Sequence, residues 1–238
     1  MRRNRWAITA LLLTLSGSEA FATPITVVAG NPGSVSPGYA AAPVVNFNGL
    51  TPGSLGSYTF DSRGPNGAVT LTGTGAVENT SRSGVYAQPA GITGDYLTVS
   101  DRTPSGAELL TFSVPENYFG LYWGSIDAYN FVSFLNQGQV IAAYSGADVA
   151  ALTGLTPNGS RSASSSNRYV NFYTADKFFD AVSLSTTGFG FELANIAYAD
   201  PPAPAVVPEP ASLLILGTTL IVLGGIGPIM RRQRENDL

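Results

Sequence analysis

Four carboxylates could carry chemistry in this chain: Glu108, Glu116, Asp127 and Glu192. A pair of them flanking a sugar would give the acid and base of a glycosidase. They stand out because the side chains that most often do proton transfer and nucleophilic attack are missing. The 238 residues contain no His and no Cys. That removes Ser-His-Asp triads, imidazole bases, thiolate nucleophiles, disulfides and Cys- or His-ligated metals. No specific catalytic motif surrounds the four acids, so the chain is expected not to be an enzyme, with a secreted carbohydrate-active enzyme as the alternative.

A second constellation is aromatic. Tyr118, Tyr122, Trp123, Asp127, Tyr129 and Asn130 lie close together in sequence. Sugars bind on exposed rings with Asn or Asp hydrogen bonds beside them, so Tyr122, Asp127, Tyr129 and Asn130 are the candidate glycan contacts. Tyr122 and Trp123 point to opposite faces of a regular strand, and Trp123 is the one expected in the core. Calcium is the cation that the residue types admit, with Asp61, Asp95 and Asp101 as candidate ligands, although none has EF-hand spacing and turns use Asp in any case. No other cofactor is expected. Thr70, Thr72 and Thr74 alternate as an ice-binding array would, and also as any good strand does.

Net charge is −4, and it divides unevenly. Residues 1–22 carry +2, residues 23–207 carry −6 and residues 208–238 carry 0. An acidic middle argues against nucleic acid as a partner, since phosphate binding needs a basic footprint.

The ends read as addresses. Arg2, Arg3 and Arg5 precede the apolar run Trp6 to Leu15, and Ala20-Phe21-Ala22 places small residues at a cleavage site. Residues 1–22 are therefore expected to be a signal helix removed by signal peptidase at Ala20 and Ala22, leaving Thr23 as the first residue. At the other end, 212–230 is 19 residues without a charge. As a helix it would be about 28 Å long, close to the hydrocarbon thickness of a bilayer. The arginines Arg231, Arg232 and Arg234 follow it, so residues 231–238 are expected to form a cytoplasmic basic tail. The proline-rich linker 201–211 would hold the domain off the membrane, and Pro208 and Pro210 would keep it extended and open to a protease.

The order Val207-Pro208-Glu209-Pro210-Ala211-Ser212, then an apolar span, then Arg231-Arg232, resembles the PEP-CTERM sorting tail, over residues 207–238. That resemblance implies recognition by exosortase, a membrane-embedded transpeptidase of Gram-negative bacteria that make exopolysaccharide. It implies Pro208, Glu209 and Pro210 as the processing motif and Arg231 and Arg232 as the cytoplasmic stop. The protein would wait in the inner membrane, domain outward, and then pass to the cell surface or extracellular matrix. A permanent tail anchor on a proline-rich stalk is the rival reading.

Between the ends, residues 23–200 must position whatever site exists. Short β-branched and aromatic runs bounded by Gly, Pro, Asn and Ser predict strands at 25–29, 44–47, 57–60, 68–72, 96–99, 108–114, 119–123, 131–135, 140–144, 169–174, 181–185 and 190–199. Asn136 to Gln139 is a hairpin turn. Ser145 to Leu152 is the one helix, with Ser145 as its cap and Gly154 as its stop. The stretch 158–167 is a serine-rich exposed loop. Many short strands predict an all-β sandwich with one short helix. Tyr118 to Ala199 is similar to exosortase-dependent surface proteins with a single β-domain. Its ending, Phe191-Glu192-Leu193-Ala194-Asn195-Ile196, resembles the closing strand of jelly-roll domains, with Ala194 where an Asp is usual. The expected role is structural or adhesive, with exopolysaccharide as the partner.

Overall fold

The computed structural model describes residues 25–61, 64–174 and 178–200. The signal segment 1–22 with Ala20 and Ala22, the linker 201–211 with Pro208, Glu209 and Pro210, the span 212–230, and Arg231 and Arg232 lie outside the described residues. Among the described residues no helix is long and apolar enough to cross a membrane.

In chain order the strands are β1 (Ile25–Ala29), β2 (Val44–Val45), β3 (Gly53–Ser54), β4 (Ser57–Phe60), β5 (Val69–Gly73), β6 (Gly75–Glu78) and β7 (Tyr96–Val99). There follow β8 (Gly106–Glu116), β9 (Tyr118–Gly124), β10 (Asn130–Asn136) and β11 (Gln139–Ser145), then helix α1 (Gly146–Thr153). The chain continues with β12 (Arg168–Thr174), β13 (Phe179–Thr186) and β14 (Phe191–Ala199). Two sheets result. One runs β1-β12-β9-β14-β7-β6-β3 with β2 also paired to β14, and the other runs β11-β10-β13-β8-β5-β4. Every pairing is antiparallel.

The core lies where the two sheets face each other. Phe112, Phe134 and Phe179 come from the six-stranded sheet, and Phe119, Phe172 and Tyr198 from the eight-stranded one. Their rings meet edge-on or tilted, as at Phe134–Phe172 (5.2 Å) and Phe112–Tyr198 (4.9 Å). Such geometry places ring edges on ring faces. The outer side of the six-stranded sheet is solvated, and β8 shows the expected period of two: Glu108, Leu110 and Phe112 are buried while Leu109, Thr111 and Ser113 are exposed.

The eight-stranded sheet breaks that alternation. All seven residues of β9 are buried, because loops cover its outer side. Tyr122 donates its hydroxyl to the Ala90 carbonyl, and Tyr39 packs edge-on against Tyr118 at 5.9 Å. Asn171 accepts from the Gly38 amide at 2.8 Å, and Asn195 donates to the Val35 carbonyl at 3.0 Å. Gly120 is needed under this layer, since a Cβ there would stand 2.7 Å from the Tyr169 ring.

Local signals work as the residue types dictate. Gln137 (φ 51°) and Gly138 (φ 75°) make the two-residue turn between β10 and β11, with both residues left-handed. Ser145 caps α1: its Oγ accepts from the Asp148 amide at 3.1 Å, while Asp148 Oδ2 accepts from the Ser145 amide at 2.8 Å. Gly154 (φ 73°) closes the helix, donating to the Ala150 carbonyl. Replacing Ser145→Ala removes the hydroxyl half of this box and should cost about 1 kcal/mol in urea unfolding. A loss below a few tenths would mean that packing of Val149 and Ala150 alone holds the helix.

Candidate functional site

Three loops, the turn at Phe189 between β13 and β14 and the start of β14 close around a surface pocket of about 230 Å³. The loop after β6 brings Arg82, Val85, Tyr86 and Ala87; the loop between β9 and β10 brings Ser125, Asp127 and Tyr129. Gly159 and Arg161 come from the loop after α1, and Glu192 from β14.

Tyr129 is 37% exposed. Its hydroxyl donates to Asp127 Oδ2 at 2.8 Å, with the Phe189 carbonyl 3.1 Å away as a second acceptor. The ring rests on Gly188, where a Cβ would come within 2.6 Å of it. Asp127 is fixed from three sides. Its backbone bridges to Asn158, its Oδ1 would lie 2.6 Å from any Cβ at Gly159, and its carbonyl would meet a Cβ at Gly146 at 2.1 Å. The N-terminus of α1 and the serine-rich loop thus both press on this one residue. Burial raises the Asp127 carboxyl above the ordinary range, and the Tyr129 hydrogen bond opposes that rise.

Glu192 is buried beside them. Its Oε1 accepts from the Ala87 amide at 2.8 Å, and Oε2 has no hydrogen-bond partner among the described residues. Gly190 (φ 73°) makes room, since a Cβ there would press on Oε1 at 2.5 Å. Burial pushes the Glu192 carboxyl up to about 8, the Asp127 charge adds to this, and the Ala87 bond and Arg161 oppose it. Near neutral pH it is therefore mostly an un-ionised acid.

The other sequence candidates fall elsewhere. Tyr122 is 2% exposed and roofed by the loop at Ala90, so it offers no ring face to a sugar. Asn130 is fully buried; its amide donates to the Gly190 carbonyl and its carbonyl accepts from Thr186, which fixes the turn before Glu192. Both are thus corrected from glycan contacts to supports, because loop cover and a buried strand start take them out of reach. Glu108 sits buried with Oε2 accepting from the Gly75 amide at 2.8 Å, its carboxyl pushed up to about 7 by burial. Glu116 lines a different pocket, with Tyr39, Pro65 and Asp200. Burial and the Asp200 charge push it to about 8. Of the four acids, only Asp127 and Glu192 share a pocket.

Asp61 is exposed at the end of β4, Asp95 accepts from the Gly49 amide at 2.9 Å, and Asp101 pairs with Arg102 at 3.1 Å. Among the described residues no three acidic side chains converge on a point that could hold a metal ion. Thr70 and Thr72 share the open face of β5, but Thr74 follows the strand and binds across to Ala107.

Arg82 and Arg161 are the residues that sequence reasoning missed. Each stands alone in a Ser- and Gly-rich loop, and only the fold brings them together. No protein-family model matches the chain, and no curated protein matches it.

Proposed function

We propose that this chain is an exported surface or matrix protein whose jelly-roll-like β-domain binds glycan through the pocket around Tyr129. In this reading signal peptidase removes residues 1–22, an exosortase acts at Pro208-Glu209-Pro210, and the 212–230 span anchors the protein only until then. The pocket carries the binding half: a half-exposed tyrosine, locked by Asp127, stands beside arginines and an un-ionised carboxyl. Stacking plus a few fixed polar groups is how saccharide sites work. The order of residues at the two ends supports the export half: Arg2, Arg3 and Arg5 precede an apolar run and Ala20-Phe21-Ala22, and Pro208-Glu209-Pro210 precedes an uncharged stretch and Arg231-Arg232.

Isothermal titration of the full chain in detergent against matrix oligosaccharides tests the binding. Tyr129→Ala should weaken it at least ~10-fold, as loss of an aromatic platform does, while leaving unfolding unchanged to within about 1 kcal/mol. Equal affinity in both proteins would move the site away from this pocket. Intact mass of the protein recovered from cells tests the processing; a mass that retains 212–230 would favour the permanent tail anchor.

Hydrolysis is the second reading, favoured by one observation: Asp127 and Glu192 line one pocket, and the more buried of the two keeps its proton near neutral pH. That division of roles is what an acid–base pair requires. Release of reducing sugar that disappears in Glu192→Gln would establish it.

A further inference from the structure

The cations of the described domain are few and unequally employed. There are four, Arg82, Arg102, Arg161 and Arg168, against eleven acidic residues. Arg102 pairs with Asp101. Arg168 is nearly buried and gives its guanidinium to the carbonyls of Ser164 (3.0 Å) and Gly30 (2.9 Å). Arg82 and Arg161 have no side-chain hydrogen bond or ion pair among the described residues, both are exposed, and both line the Tyr129 pocket. They come from loops 79 residues apart in sequence, so local composition does not explain their meeting.

Nor do the pocket's own acids neutralise them. Asp127 is turned to the Tyr129 hydroxyl, and Glu192 is buried with its Oε1 on the Ala87 amide. At neutral pH Glu192 holds its proton, so it neither repels an anion nor consumes a guanidinium. The pocket thus carries two planar donor forks at its rim and an aromatic ring within it, while the nearby Glu78 is engaged with the Tyr86 hydroxyl. Guanidinium forks match carboxylate geometry in a way that lysine does not.

We infer that the saccharide bound here is acidic: a uronate whose carboxylate is held between Arg82 and Arg161 while its ring lies against Tyr129. This rests on the glycan reading above and adds the charge of the ligand to it. The same forks would hold inorganic phosphate, so the test must separate a sugar carboxylate from a bare anion.

The experiment titrates the full chain with oligogalacturonate, with its carboxyl-reduced neutral counterpart and with inorganic phosphate, for the unaltered protein and for Arg82→Gln, Arg161→Gln and the double variant. The acidic oligomer should bind at least ~10-fold tighter than the neutral one, and the advantage should shrink with added salt. Each single variant should lose part of that advantage and the double variant nearly all of it, so that acidic and neutral oligomers then bind alike. Both side chains are exposed, so folding is not at stake.

Equal binding of acidic and neutral oligomers, unaltered in the double variant, overturns the acidic assignment and leaves the glycan site standing. Absence of binding by either oligomer overturns both. Phosphate that displaces oligogalacturonate at equal concentration overturns the saccharide in favour of a simple anion site.

Discussion

Stability should fall as pH rises from about 5 to about 9, with most of the loss complete by about 8. Three buried carboxyls set this slope. Glu108 is pushed to about 7, and Glu116 and Glu192 to about 8, from an ordinary 4.5. Burial is the first cause at all three; the Asp200 charge adds at Glu116 and the Asp127 charge at Glu192. The sign follows from proton counting. Between the ordinary value and the raised one, the folded protein keeps protons that the unfolded chain has released. The folded state is therefore favoured at the acid end, and that advantage is lost as pH climbs through the raised values. Each tenfold change in proton affinity is worth about 1.4 kcal/mol, so Glu192 alone contributes on the order of 5 kcal/mol.

Unpartnered atoms explain why ionisation is so unfavourable. Glu108 Oε1, both oxygens of Glu116 and Glu192 Oε2 are buried without hydrogen-bond partners among the described residues, so a negative charge there would lack compensation. Asp148 acts in the opposite sense. The Ser145 hydroxyl and amide hold its carboxyl low, and its support of α1 is present above the ordinary value and lost on acidification below it. The optimum should therefore lie near pH 5. Urea unfolding at pH 5, 7 and 9 measures the slope, and Glu192→Gln, which can still accept from Ala87, should flatten it. A level profile in the unaltered protein would mean that water or rearrangement reaches these carboxyls.

What the sequence carried, it carried through local chemistry. The strand at Tyr118–Gly124, the Gln137-Gly138 turn and the Ser145–Asp148 cap each depend on residues within a few positions of one another. β6 was illegible because Gly73 and Gly75 read as the end of a strand. They mark the crossing from one sheet to the other, where a Cβ at Gly73 would lie 2.2 Å from the Ala107 carbonyl. Tyr122 misled for a related reason. Alternation predicts which face of β9 a side chain takes, but the roof at Ala90 comes from a loop 32 positions away. The site was half visible. Asp127 and Tyr129 announced themselves by proximity, whereas Arg82, Arg161 and Glu192 reach the same pocket only through contacts far apart in sequence, including the side-by-side pairing of β9, β14, β7 and β6 in the eight-stranded sheet.

The largest single loss should come from Trp123→Ala. Trp123 is fully buried on β9, which lies between β12 and β14, and its ring stacks on Phe191 at 4.6 Å and 27°. Truncation leaves a cavity at the centre of the eight-stranded sheet and removes the stacking partner, and such changes cost ~3–5 kcal/mol. Against a total of about 5–15 kcal/mol for a domain, that brings the fold near its limit. Trp123→Phe separates the two contributions. It keeps an aromatic face for Phe191 and removes an indole Nε1 that is buried without a hydrogen-bond partner among the described residues. Relief of that unsatisfied donor offsets part of the smaller cavity, so the cost should be about 1 kcal/mol or less. Thermal melts at pH 5 would show the difference as a drop of roughly 10 °C for Ala against a few degrees for Phe. Equal losses in the two variants would refute the stacking argument. The indole would then have a partner that the folded chain recruits, and the donor, not the ring, would carry the stability of this position.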